Sequence, residues 1–279
     1  MKFIDLHVHT SYSDGTFSPK EIVKLAKDIG LAAISITDHD ITGAVPEATE
    51  EGKKLGLEIV SGVELSAEIE ANGSREMHIL GYFIDNNDPV LQERLKYFRD
   101  ARIDRAWKIY DKLAKLNMIL DKNVFQKIAE SGSIGRLHFA NELVKEGYAK
   151  NISEVFQKFL GGGKPAYVPK ARLTPKEAIE LINKAGGVAV LAHPMIGNFY
   201  EETILTELVS YGLKGMEVWH TKHPQLLVQN LLAICNKMGL VPTGGSDCHG
   251  MVLDGSILMG KVKVPYETVE KLRALTRPR

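Results

Sequence analysis

Imidazoles and carboxylates stand in tight groups near both ends of this chain, and such groups can hold metal ions. The groups are His7-Val8-His9, Thr37-Asp38-His39-Asp40 and Gly245-Ser246-Asp247-Cys248-His249. His7 and His9 are two residues apart, as are Asp247 and His249, so on a strand each pair points to one face. A buried pair of imidazoles pointing together needs a polar partner or a metal. Glu64, His78 and His193 accompany further apolar runs, and Asp14 lies in the polar loop Ser13-Asp14-Gly15-Thr16. The candidate metal ligands are His7, His9, Asp14, His39, Glu64, His78, His193, Asp247 and His249. This set is long enough for three ions. Mixed imidazole and carboxylate ligation suits Zn, Mn or Fe better than Ca or Mg. A metal-dependent hydrolase is the leading chemistry.

Strands must carry these residues to one place. Apolar runs of strand length occupy 3–8, 32–37, 57–63, 77–83, 188–192, 215–219 and 241–244. Helices are expected between them. Ser18-Pro19-Lys20-Glu21 and Thr174-Pro175-Lys176-Glu177 share one helix-start grammar: a hydroxyl cap, Pro in the first turn, Glu three after the cap. Further helices are expected at 44–55, 202–211 and 224–238, with a last strand and helix over 261–275. Repeated βα units imply a parallel sheet covered by helices. Seven or eight of them imply a closed barrel, with a doubly wound open sheet as the runner-up. Active sites of such barrels lie at the C-terminal ends of the strands. Most of the runs above end there in His or an acid.

The stretch 89–160 differs. It offers no convincing strand. Apolar spacings of three and four run over 91–116, with shorter helical stretches at 123–129, 135–146 and 153–159. Gly161-Gly162-Gly163-Lys164-Pro165 then forms a flexible joint. The expected organisation is a barrel from 1–88 and 161–279, with 89–160 as a helical insertion.

The chain has 279 residues, 35 basic and 35 acidic, so its formal net charge is zero. A generic binder of long nucleic acid is usually strongly basic and is not expected. Nucleotides and short oligonucleotides remain open. The two cysteines, Cys235 and Cys248, make no disulfide framework. Cys248 should point away from Asp247 and His249 as a small buried residue. No apolar run approaches the roughly 20 residues of a membrane span, and no leader pattern precedes the first strand. The cytoplasm is the expected location, with no membrane and no obligate protein partner evident.

Five ordered segments match one family. Asp-Leu-His-Val-His-Thr-Ser-Tyr-Ser-Asp-Gly, Ile-Thr-Asp-His-Asp, Gly-Val-Glu, Leu-Ala-His-Pro and Gly-Ser-Asp-Cys-His-Gly occur in the order of its motifs. The chain resembles the PHP (polymerase and histidinol phosphatase) domain proteins over essentially its whole length. Within them it looks most like the stand-alone branch of 3′,5′-nucleotide bisphosphate phosphatases and 5′→3′ exoribonucleases of very short RNAs. The markers are Arg102-Ile103-Asp104-Arg105, Gly135-Arg136-Leu137-His138-Phe139 and Pro165-Ala166-Tyr167-Val168-Pro169.

The resemblance implies an α/β fold, a distorted (βα)7 TIM-like barrel with a helical insertion, and two to three divalent ions of Mn, Fe or Zn. It would place one ion on His7, His9, Glu64 and Asp247. A second would sit on Glu64, His78 and His193, and a third on Asp14, His39 and His249. Three divalent ions outweigh three carboxylates, so such a site attracts phosphate and lowers the pKa of bound water towards ~7. The implied reaction is hydrolysis of a phosphate ester of a small nucleotide or short RNA 5′ end through a metal-bridging hydroxide.

Arg102, Arg105, Arg136, His138 and His223 are the candidate substrate contacts, since Arg matches phosphate bidentately. His138, Arg136 and Asp40 are the candidate catalytic residues, with His138 a donor to the leaving oxygen. Asp38 and Asp40 are expected to orient imidazoles, and Glu217 is a further candidate for that part. His220 reads as a polar loop residue. Alternatives are a histidinol-phosphate phosphatase and a metal-dependent amidohydrolase. The number of Arg and Lys residues in the insertion weighs against the latter. A non-enzymatic metal-binding module would lack ligands, and all nine are present.

Overall fold

The computed structural model describes residues 2–69, 75–130, 134–251 and 255–276. The chain divides into two compact units, 1–93 with 172–279, and 94–171. Both boundaries lie later in the chain than the expected 88 and 160.

Eight strands form the sheet of the first unit: β1 (Phe3–Val8), β2 (Ala33–Ile36), β3 (Glu58–Ile69), β4 (Arg75–Tyr82), β5 (Val188–Leu191), β6 (Gly215–His220), β7 (Val241–Gly245) and the two-residue β8 (Val264–Pro265). Their order is β7-β6-β5-β4-β3-β2-β1-β8. The sheet curls until its distant strands meet. The N–H of Asp247 donates to the carbonyl of His7 at 2.9 Å, and the N–H of His9 to that of Cys248 at 3.0 Å. Val8 bridges Cys248 in parallel. The result is a nearly closed barrel. Gly245 permits the crossing, because a Cβ there would run into the backbone N and the Cβ of His7.

The sheet is not parallel throughout. β4 runs antiparallel to both β3 and β5, while β1–β2, β2–β3, β5–β6 and β6–β7 are parallel. Only residues 70–74 lie between β3 and β4, whereas a parallel neighbour needs a crossover of a dozen or more residues. β3 also continues past the expected residue 63. Glu64 therefore sits within a long strand, paired through Leu80 to β4.

The helices cover this sheet: α1 (Pro19–Ile29) and α2 (Val45–Leu55), and later α7 (Pro175–Lys184), α8 (Glu202–Ser210), α9 (Gln225–Met238) and α10 (Glu267–Arg273). Between α2 and α7 come α3 (Pro89–Lys115), which runs on into the second unit, then α4 (Lys122–Glu130), α5 (Arg136–Lys145) and α6 (Ile152–Val155). The expected capping boxes form at Ser18/Glu21 and Thr174/Glu177. Gly30 closes α1 in the left-handed region at φ 85°. One apolar cluster joins α1 and α2 to β1 and β2 through Ile22, Val23, Ala48, Val8 and Ile36. Another joins Ile4, Leu6, Val60, Leu80, Tyr82, Val188 and Val190.

The second unit is helical. α4, α5 and α6 pack with the later part of α3 around Ile109, Leu113, Phe125, Phe139, Leu143 and Leu160. Phe125 and Phe139 stack with centroids 4.3 Å apart. A π-helical turn at Phe156–Leu160 follows α6. This unit holds 16 of the 35 basic residues and only 8 of the 35 acidic ones, leaving 19 against 27 in the first unit. The zero net charge therefore conceals a cationic unit and an anionic one. Among the described residues no helix is long and apolar enough to cross a membrane.

Candidate metal centre

One buried carboxylate organises the polar end of the barrel. Glu64 Oε2 lies 3.0 Å from His39 Nδ1, 3.2 Å from His9 Nε2 and 3.3 Å from His7 Nε2. Its other oxygen lies 2.8 Å from His78 Nδ1 and 3.0 Å from His193 Nε2. Five imidazoles from β1, the end of β2, β4 and the end of β5 thus face one side chain of β3. Asp247 adds a second carboxylate, its Oδ1 3.3 Å from His9 Nε2 and 3.5 Å from His7 Nε2. Asp14, on an exposed loop, lies 3.3 Å from His249 Nε2, 3.6 Å from His9 Nδ1 and 3.7 Å from His39 Nε2. All nine residues expected as ligands are brought together in the first unit.

The aim of β1 has a local cause. Strict alternation would put Ile4, Leu6 and Val8 on one face. Ile4 and Leu6 do pack in one cluster, but Val8 packs in the other, beside Ile22 and Ile36. The β1–β2 register shifts between Asp5 and Val8. Such irregularities re-aim side chains beside functional sites, and here His7 and His9 turn towards Glu64.

The supporting carboxylates bind neighbouring chain segments as well as imidazoles. Asp38 accepts from the N–H and hydroxyl of Thr10, each at 2.7 Å, and from the hydroxyl of Ser13 at 2.6 Å. Asp40 accepts from the N–H and hydroxyl of Ser66 at 2.9 and 3.0 Å. These contacts fix the chain segments that bear His9, Asp14 and Glu64. Glu217 orients an imidazole directly: it meets His7 Nδ1 at 3.2 Å and accepts from the His193 N–H at 2.7 Å. Asp5 is buried and accepts from the N–H groups of Ser246, Gly260 and His7, which ties the ends of β1 and β7 together. Burial raises its carboxyl despite these bonds. Asp40, His193 and Asp247 have positive φ of 54°, 23° and 56°. Backbone in that region costs on the order of 1–3 kcal/mol per residue and persists where the surroundings enforce it.

The electrostatics call for added positive charge. Burial opposes ionisation of Glu64, yet His39, His78 and His7 hold it well below the usual carboxylate range. Burial likewise opposes charge on His9, but Asp247 and Glu64 outweigh it and carry the imidazole to about 10. His78 rises against burial to about 9 through Glu64 and Glu76. His39, by contrast, is pushed down to about 3, chiefly by burial. In the protein alone, protons supply part of the charge that the carboxylates demand.

The residues fit metal ions. His7 Nε2, both ring nitrogens of His9, His39 Nδ1 and Glu64 Oε2 are buried without a hydrogen-bond partner. Leaving such atoms unpaired costs about 1–3 kcal/mol each, and a bound ion is one of the few explanations. Four groups have ligand atoms within 4.8 Å of one another: His9, Asp14, His39 and His249; His7, Glu64 and His193; His7, His9 and Asp247; His39, Glu64 and His78. They overlap more than the family-derived grouping did. His9 joins the Asp14 group, and His7 joins His193. The donors are nitrogen and oxygen only, which suits Mn, Fe and Zn.

The remaining candidates lie elsewhere or have other partners. His223 is buried and bonds the Val218 carbonyl through Nδ1 at 2.8 Å. Arg102, Arg105, Arg136 and His138 belong to the second unit. Arg105 donates to the Val168 carbonyl at 2.8 Å. Arg136 lies over the rings of Phe156 and Tyr167 at 5.5 and 6.0 Å. His138 Nδ1 accepts from the Gly135 N–H at 3.0 Å, so a neutral ring carries its proton on Nε2. His220, expected in a loop, instead ends β6 and is buried. Its position as the last residue of an apolar run was the available signal.

Known proteins resemble this chain in sequence and fold. A family model described as the PHP domain matches residues 5–184. The 5′-3′ exoribonuclease Rnm of Escherichia coli is 34% identical over 250 residues, 88% of this chain and 84% of that protein. The 3′,5′-nucleoside bisphosphate phosphatase of Chromobacterium violaceum is 32% identical over 253 residues, covering 89% and 88%. A crystal structure assigned as a metal-dependent phosphoesterase from Bifidobacterium adolescentis superposes with a TM-score of 0.84 at 30% identity, covering 99% of this chain and 97% of that one.

Proposed function

The chain belongs to the PHP-domain family of metal-dependent phosphoesterases, and we propose that its substrate is a small nucleotide, either a 3′,5′-bisphosphate or the 5′ end of a short RNA. The observation that carries this reading is the Glu64 carboxylate, buried among five imidazoles. An organic substrate has no use for so many inward-facing lone pairs, whereas two or three divalent ions do. We assign them to Mn, Fe or Zn, held by the nine residues named above. Bound there, such ions would supply Lewis acidity and a water of lowered pKa, near ~7.

The chain's own residues supply the rest. Glu64 is shared between ligand groups and would balance charge for more than one ion. Glu217 holds the His7 ring with Nε2 turned inward. The cationic second unit favours an anionic substrate. Within it, Arg136 and Arg102 are proposed to contact phosphate oxygens, and His138, with its proton on Nε2, to donate to the leaving oxygen. A cytoplasmic location is part of the same proposal.

The test is a substrate screen with metal content measured on the same preparation. It includes adenosine 3′,5′-bisphosphate, di- to pentanucleotides, histidinol phosphate and an amide substrate. Turnover of the bisphosphate or the oligonucleotides is the expected result. Turnover of histidinol phosphate alone, or of the amide alone, would overturn the substrate assignment. A chain that binds no divalent ion, and that none activates, would overturn the metal centre itself.

A further inference from the structure

Asp247 presents its two carboxylate oxygens to different company. Oδ1 faces the ligand cluster, near His7, His9 and His249 Nδ1. Oδ2 faces the turn that follows β6, with His220 Nε2 at 3.6 Å and Lys222 Nζ at 3.8 Å. That turn is fastened to the residue before Asp247, because the Thr221 hydroxyl donates to the Ser246 carbonyl at 3.1 Å.

The His220 ring has one assignable tautomer. Its Nδ1 accepts from the backbone N–H of Lys222 at 3.1 Å. A neutral imidazole with an accepting Nδ1 carries its proton on Nε2. That nitrogen is buried, has no hydrogen-bond partner and points at Asp247 Oδ2. A protonated Nε2 has no lone pair for a metal, so His220 is not a tenth ligand. Asp247 itself sits at φ 56°, a conformation that its surroundings must enforce.

We propose that the His220–Thr221–Lys222 turn is a positioning device that holds Asp247 Oδ2, leaving Oδ1 alone to meet the metal. His220 does this from a buried, fixed ring. Lys222, with its side chain 56% exposed, adds a screened charge. Outer partners of this kind typically change metal affinity by about 10–100-fold when removed. The inference rests on the metal-centre reading above.

The experiment compares His220→Asn with His220→Gln in the full-length chain, titrating Mn²⁺ into protein stripped with chelator. The Asn side chain can accept from the Lys222 N–H but is too short to reach Asp247. The Gln amide reaches the position of Nε2 and can donate there. The expected result is that His220→Asn weakens Mn²⁺ binding by about 10–100-fold and His220→Gln restores most of it. The melting temperatures of both metal-free variants should stay alike. Equal Mn²⁺ affinity in the two variants, whether native or weakened, overturns the positioning role. Gln failing with loss of a whole equivalent of Mn²⁺ would make His220 a ligand and overturn it too. A wild-type chain that binds no Mn²⁺, nor Fe²⁺ or Zn²⁺ in its place, overturns the metal centre as well.

Discussion

The carboxylate of Glu217 holds Nδ1 of His7 at 3.2 Å, and its second oxygen takes the backbone N–H of His193 at 2.7 Å. One side chain thus serves two groups, one on β1 and one just past the end of β5. An amide at this position keeps one uncharged acceptor oxygen, and if that oxygen serves His193 it lies 3.4 Å from His7 Nδ1, a weaker hold. Glu217→Gln should weaken Mn²⁺ binding by about 10–100-fold, while far-UV circular dichroism stays native. Isothermal titration checks it, and an unchanged dissociation constant would remove Glu217 from the metal centre.

Metal binding should release protons. His9 and His78, carried to about 10 and about 9, and the raised His7 must lose protons before they ligate. Affinity for Mn²⁺ should rise as pH rises from 6 towards 9. For the metal-free chain the sign is the reverse. Stability from a raised imidazole is full below its ordinary 6.5 and is lost as pH climbs through 9 to 10. His39, pushed down to about 3, acts oppositely, and its loss of stability lies below pH 6.5. Thermal melts from pH 7 to 10 should fall without metal and flatten with it. Calorimetry in two buffers of different ionisation enthalpy counts the protons, and a count of zero at pH 7 would contradict the argument.

Gly245 stands where β7 passes β1. An added Cβ would meet the backbone of His7, and backbone cannot step aside as a side-chain tip can. Gly245→Ala should cost about 1–3 kcal/mol of stability, the usual range for overpacking. It should also weaken metal binding, because Asp247 and His7 are joined at that crossing. A denaturant titration reads the first effect. Native stability in the variant would mean that the strands separate more easily than the crossing suggests.

Arg136→Ala bears on substrate rather than metal. If Arg136 contacts phosphate, losing a charge-assisted bond should cut kcat/KM for the active phosphoester by about 10–100-fold. Metal content should be unchanged. Equal loss of metal and activity would place Arg136 in the support of the fold, where its stacking on Phe156 and Tyr167 already gives it a part.

Eight of the nine candidate ligands were legible because they fall in the family's ordered motifs; His78 lies in none of those segments and was marked only by its place in an apolar run. The strand directions were less so. Apolar runs imply parallel βα units, whereas β4 runs antiparallel to both its neighbours. The register shift between Asp5 and Val8 had no signal in the residues, since strict alternation also puts His7 and His9 on one face. Asp38 and Asp40 look like partners of imidazoles from their place beside His39. They also hold Thr10 and Ser66, 28 and 26 residues away in sequence, and only the fold brings these near. The charge of the second unit was hidden in a total of zero.

Cys248 lies between two candidate ligands, and its thiol takes no part in their chemistry. The side chain is buried in the apolar cluster with Val8 and Ile22, and burial raises its pKa. A soft ion such as cadmium or cuprous copper would therefore find imidazole and carboxylate at this centre but no thiolate to reward it. An oxidant would find the Cys248 thiol buried and its pKa raised, which disfavours conversion. The left-handed backbone of Asp247 and the Val8–Cys248 bridge thus leave Asp247 and His249 at the centre while the thiol between them packs in the apolar cluster.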